Sequence, residues 1–112
     1  WRDLFQRGRA SFEARFWDDD RRRLHDVVDV DHVDGARDGR LRPNQIFSVG
    51  GLPLPVLSGA RARAVVDAVE EALVVPIGLR SLAPQEPGYR PHYRGGVSER
   101  DGAYHQGTVW PW

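Results

Sequence analysis

Trp1, Leu4, Phe5, Phe12 and Phe16 recur at spacings of three, four and seven, which predicts one apolar stripe of a helix over residues 1–17, weakened by Gly8. Asp18, Asp19, Asp20, Arg21, Arg22 and Arg23 form a polar turn after it. Leu24, Val27, Val28 and Val30 then have the short, β-branched character of strand. Residues 29–40 are polar and punctuated by Gly35 and Gly39, as an exposed hairpin or loop would be. Arg42-Pro43-Asn44-Gln45 starts a further helix, because Pro43 suits a first turn, with Ile46, Phe47 and Val49 as its buried face; Gly50, Gly51, Pro53 and Pro55 end it. The clearest helix covers residues 58–75. Ser58 is its N-cap, Ala60, Ala64, Val65, Ala68, Ala72 and Leu73 its buried stripe, and Pro76 and Gly78 its stop. From Ile77 to the end, prolines and glycines interrupt every period, so a long loop with little regular structure is expected. Such loops are uncommon unless they are functional, and this one carries Tyr89, His92, Tyr93, Tyr104, His105, Trp110 and Trp112. Three helices and two long ordered loops without a closed core suit part of a larger helical domain.

Composition narrows the function. With 112 residues, 40% hydrophobic and 29% charged, the chain is ordinary globular material. Sixteen Arg and no Lys balance sixteen acidic residues to a formal net charge of zero, which removes the counterion-release drive for nucleic acid as a partner. The absence of Cys excludes disulfides, thiolate metal sites and a cysteine nucleophile, and suits a reducing, cytoplasmic setting. No window approaches the roughly 20 apolar residues of a membrane span, and Trp1-Arg2-Asp3 does not open a signal peptide, so no membrane partner is expected. The chain contains no Met and stops at Trp112 within what reads as a continuing motif; a piece of a longer protein is expected.

Most candidate chemistries fail on spacing. Counted from Asp29, a calcium loop would place Val33 at its fifth position and Asp34 where glycine is required. His25, His32, His92 and His105 form no i, i+4 pair and no HExxH, Ser48 and Ser58 lie in no GxSxG elbow, and Gly50-Gly51 and Arg94-Gly95-Gly96 lack the lysine of a phosphate loop. The final run from Tyr104 to Trp112 differs in kind. Sugars present apolar C–H faces and hydroxyl groups, so their sites need flat aromatic platforms beside planar hydrogen-bonding groups, and this run supplies both. The alternative for Trp110 and Trp112 is a place in the core, with their indole N–H groups paired to backbone carbonyls. Arg42-Pro43-Asn44-Gln45 repeats the pairing of Arg with amides, although a helix start with surface amides would look the same.

Five blocks in order carry a family resemblance: Phe16-Trp17; Leu24-His25-Asp26-Val27-Val28-Asp29; Arg42-Pro43-Asn44-Gln45-Ile46-Phe47-Ser48-Val49; Gly78-Leu79-Arg80-Ser81-Leu82-Ala83-Pro84; and Arg100-Asp101-Gly102-Ala103-Tyr104-His105-Gln106-Gly107-Thr108-Val109-Trp110-Pro111-Trp112. Together they closely resemble the C-terminal, amylo-α-1,6-glucosidase domain of glycogen debranching enzymes. The resemblance implies an all-α fold class, a partial α/α toroid: an arc of a twelve-helix ring with long ordered loops and a short β-hairpin. Twelve helices of about 11–12 residues exceed this chain, so residues 1–112 would be one fragment of a single catalytic domain.

The resemblance also implies inverting glycoside hydrolysis by two carboxyl groups about 6.5–9.5 Å apart, without metal or organic cofactor. The family's acid would be an Asp upstream of Trp1 and its base a Glu beyond Trp112. No catalytic residue is therefore assigned here, and the fragment alone should be inactive. Glu99 and Asp101 flank Arg100, where a structural Arg100–Asp101 pairing is the simpler expectation. The substrate-binding candidates are Asn44, Gln45, Tyr104, His105, Gln106, Trp110 and Trp112, with Arg42 as either a ligand or a buttress of the loop. The expected partners are glycogen or another branched α-glucan and the rest of the same catalytic domain. Two rivals remain open at this point: another toroid glycosidase, trehalase-like or α-mannosidase-like, and a non-catalytic glucan-binding module.

Overall fold

The computed structural model describes residues 1–111 and opens with the helix that the first periodicity predicts, α1 (Arg2–Phe16). None of its residues is fully buried: Leu4 and Phe5 are exposed, while the stacked rings of Phe12 and Phe16, 4.8 Å apart, lean on the core. The chain passes straight into β1 (Trp17–Asp18), which pairs antiparallel with β2 (Arg23–Leu24). The turn between them is held locally. Asp18 Oδ1 accepts the backbone N–H groups of Asp20 at 3.1 Å and Arg21 at 3.0 Å, as short acidic side chains do in turns. β3 (Val27–Val28) pairs with β4 (Arg37–Asp38) to give the expected exposed hairpin, whose loop is tied by the Gly35 N–H to Asp29 Oδ1 at 3.0 Å.

The Arg-Pro-Asn-Gln segment becomes a 3-10 helix, Pro43–Ser48, with Pro43 in its first turn. Side chains three apart eclipse one another in this geometry. Gln45 and Ser48 therefore turn inward together, and Phe47, expected inside, is 43% exposed. α2 (Gly59–Leu73) buries Val65 and Leu73 of the expected stripe together with Val69, one turn apart; Ala64, Ala68 and Ala72 are half-buried and Ala60 is exposed. Its two ends face two clusters. Trp17, Leu24, Leu57 and Val65 form one, and Leu41, Val69, Leu73 and Ala83 the other. Glu13 accepts hydrogen bonds from Arg9 and Arg61, each at 2.9 Å, and the Arg61 guanidinium lies 5.0 Å over the Trp17 ring, which clamps α1 to α2.

α2 leads directly into β5 (Val74–Val75), which turns back as β6 (Gly78–Arg80) and is extended by β7 (Val109–Trp110) to an antiparallel sheet in the order β5-β6-β7. Leu79 faces Trp110 and Arg80 faces Val109 in register. Gly78 has a φ of +154°, and a Cβ there would meet the carbonyl of Trp110. A third helix, α3 (Val97–Tyr104), precedes β7.

Two expectations are overturned. The described chain is not all-α and forms no toroid arc: it is 42% helical and 14% strand, with three small antiparallel sheets. The strands are only two or three residues long, too short for alternation to register in sequence. The stretch after Ile77 is not one loop, since β6, α3 and β7 lie in it. β6 and β7 are paired with each other across some thirty residues, a contact that no local pattern encodes.

Candidate functional site

Ser81 follows β6 and fastens the tail to it. Its N–H donates to the Thr108 carbonyl at 2.9 Å, its Oγ donates to the Tyr104 carbonyl at 3.2 Å and accepts the Gly107 N–H at 2.9 Å. Thr108 Oγ1 adds a bond to the Ala103 carbonyl at 2.8 Å. Gly107 has a φ of +133°, and a Cβ there would come within 2.7 Å of the Arg90 carbonyl and 2.5 Å of the Tyr89 ring, so the chain can pass here only as glycine. The end of α3 and the start of β7 are thereby fixed beside β6.

That anchoring gathers the aromatic tail. Tyr104 and Trp110 lie 4.5 Å apart between ring centroids, Tyr93 meets them edge-on at 6.1 and 5.8 Å, and the His105 ring stands 4.7 Å from Tyr104. The indole N–H of Trp110 donates to the Tyr104 carbonyl at 3.1 Å, so this donor is used within the chain while the ring stays half-buried. Trp112 lies outside the described residues.

His105 connects the tail to the Arg-Pro-Asn-Gln segment. An open cleft of about 410 Å³ is lined by Asp26, Arg42, Pro43, Asn44, Ser81 and His105. Asp26, in the joint between β2 and β3, accepts from Asn44 Nδ2 at 2.9 Å through Oδ1 and pairs with Arg42 Nε at 3.1 Å through Oδ2. Asn44 and His105 are exposed on this cleft. Gln45 is not: it is 8% exposed, its Oε1 accepts the Leu24 N–H at 3.4 Å and its Nε2 donates to the Arg42 carbonyl at 3.0 Å. Gln106 is half-buried, with Oε1 accepting from Arg42 Nη2 at 2.8 Å. A second, smaller cleft of about 230 Å³ shares Asp26, Arg42 and Asn44 and has Phe12, Phe16, Leu24 and Val56 among its apolar walls.

The structure thus brings Asn44, Tyr104, His105 and Trp110 to one side of the molecule and uses Gln45 and Gln106 in internal bonds. Sequence reasoning missed Asp26 and Ser81 and left Tyr93, one of the tail's expected functional side chains, out of the binding candidates. The first two stand inside resembling blocks, but nothing in their spacing shows that Asp26 meets Asn44 or that Ser81 holds the tail. The expected Arg100–Asp101 pairing is not seen among the described residues. Among those residues no group of three His, Asp or Glu is placed to hold a metal ion.

A cleft of planar polar groups next to clustered aromatic rings is a surface of the kind that fits a carbohydrate. The comparisons narrow this class. A sequence profile described as Amylo-alpha-1,6-glucosidase matches residues 1–112, and the chain belongs to that family. It is also similar to the glycogen debranching enzyme of Saccharomyces cerevisiae (strain ATCC 204508 / S288c), 35% identical over 81 residues that cover 67% of this chain and 5% of the yeast protein.

Proposed function

We propose that this chain builds one wall of the glucan-binding cleft in an enzyme that hydrolyses α-1,6-linked glucosyl stubs of glycogen or another branched α-glucan. The observation that carries the proposal is the continuity of Tyr93, Tyr104 and Trp110, through His105, with the polar cleft of Asp26, Arg42 and Asn44. Rings of this kind stack on the C–H face of a glucosyl unit, and amide and imidazole groups hold its hydroxyls. Asn44 has an amide N–H bound to Asp26, which orients its carbonyl oxygen as the acceptor left for a sugar hydroxyl. His105 offers an imidazole and Trp110 an indole face, its N–H being engaged elsewhere.

Hydrolysis in this proposal follows the inverting scheme. A carboxylic acid protonates the glycosidic oxygen, and a carboxylate on the other face of the sugar takes a proton from the attacking water. No residue of this chain is given either part. Asp26 is held by Arg42 and Asn44, which suits a fixed wall rather than a proton carrier. Gln45 and Gln106 support the wall from behind.

The test is Trp110→Ala in the complete protein, assayed on a limit dextrin. The expected result is a loss of tenfold or more in kcat/KM, since an aromatic contact and its buried area are worth about 1–3 kcal/mol. Turnover within twofold of the parent would contradict the assignment. Offering α-1,6-, α-1,4- and α,α-1,1-linked glucosides side by side checks the linkage: the α-1,6 compound should be cleaved fastest.

A further inference from the structure

Arg42 ties its guanidinium to three separate stretches of chain, through three hydrogen bonds and one ion pair. Nε pairs with Asp26 Oδ2 at 3.1 Å, Nη1 donates to the Ser81 carbonyl at 3.0 Å and also to the His105 carbonyl, and Nη2 donates to Gln106 Oε1 at 2.8 Å. The side chain is 14% exposed. A lysine ammonium is a compact point charge with three donors and no planar fork, and cannot serve at once acceptors spread around the edges of one guanidinium plane. The same arginine is anchored from behind: its own carbonyl accepts from buried Gln45, whose Oε1 holds Leu24 in β2.

We infer that Arg42 is a positioning residue that ties the β2–β3 joint to the tail after α3, so that Asn44 and His105 stay in one wall, and that sugar binding depends on the shape of its guanidinium rather than on its charge. The inference rests on the proposed glucan wall. With both Nη atoms hydrogen-bonded and Nε paired to a carboxylate inside the chain, Arg42 is not itself the sugar ligand. It sets the carbonyl of His105 and the carboxylate of Asp26, and through that carboxylate the amide of Asn44. Removing it frees the tail from the joint without touching either core cluster.

The experiment compares Arg42→Ala, Arg42→Lys and the parent in the complete protein, measuring KM and kcat on a limit dextrin, melting temperature, and amide hydrogen exchange at Gln106 and Gly107. Both variants should raise KM by about tenfold or more with a smaller change in kcat, the scale of lost charge-assisted hydrogen bonds. Added guanidinium at millimolar concentration should lower the KM of Arg42→Ala and slow its amide exchange, with no matching rise in melting temperature. An Arg42→Lys enzyme with the parent KM would overturn the inference, because charge would then suffice. So would an Arg42→Ala enzyme whose KM and exchange ignore guanidinium while its melting temperature has fallen. If the parent itself leaves α-1,6 stubs uncleaved, the glucan wall fails, and the exchange measurement alone decides for or against Arg42 as the tie.

Discussion

Buried beside three arginines, the imidazole of His25 is a poor place for a proton. Burial pushes its pKa down, the Asp18 carboxylate pulls it up from 3.8 Å, and Arg37, Arg21 and Arg23 push it down again; the net shift is downward. Its Nδ1 is buried with no hydrogen-bond partner. A base that binds protons more weakly folded than unfolded is protonated first in the unfolded chain. Stability contributed here is thus fully present above the ordinary histidine value of about 6.5 and drains as pH falls below it. Asp18 acts in a lower window. Burial raises its pKa, but the N–H groups of Arg21 and Asp20 and the nearby His25 and Arg21 charges outweigh that and lower it, so its contribution is lost only below about pH 3.9. We predict that the denaturant midpoint of the protein falls between pH 7.5 and pH 5.5 and that His25→Gln flattens that fall. An equal slope in both proteins would show that His25 is not its source. Little of this was visible in the sequence, where His25 stood out only as one of four histidines without a metal-like spacing.

At the scale of elements, α1 and α2 were legible because a 3.6-residue period is local, and their observed bounds differ by a residue or two from those read off the chain. The buried faces were less so. Val65 and Leu73 of the expected α2 stripe are buried and Val69 joins them, while the stripe's alanines are only half-buried or exposed, because larger side chains remove more area from water. In the Arg-Pro-Asn-Gln turn, the period of three rather than 3.6 decides which side faces inward, and it sends Gln45 in and Phe47 out. The sugar-facing role expected of Gln45 came from its residue type, whereas its burial came from that period. The strands of the tail were missed because they depend on partners distant in sequence. Leu73 gives the sharpest test of the packing described. It is fully buried against Leu41, Val69 and Ala83, so Leu73→Ala should destabilise by about 2–5 kcal/mol in chemical denaturation, while Leu73→Met should cost less than about 1.5 kcal/mol. A loss below about 1 kcal/mol for alanine would mean that the cluster is not a packed core.

For the molecule as a whole, the family was legible from ordered blocks of residues, and the fold class implied by the same resemblance was not. Resemblance carries the residue types at a site, but the architecture of these 111 described residues is set by three small sheets and two clusters that the blocks do not encode. The chain covers 5% of the yeast relative's length. The proposed function therefore concerns a wall only, and gives neither acid nor base to any residue of this chain. Its most direct test is a crystal structure of the complete protein with a maltooligosaccharide bearing one α-1,6-linked glucosyl unit. We predict that unit at the cleft, a sugar hydroxyl about 2.7–3.2 Å from Asn44 Oδ1 or the His105 ring and a pyranose face against Trp110 or Tyr104. A glucosyl unit bound elsewhere, with Asn44, His105 and Trp110 covered by other segments of the protein, would contradict it.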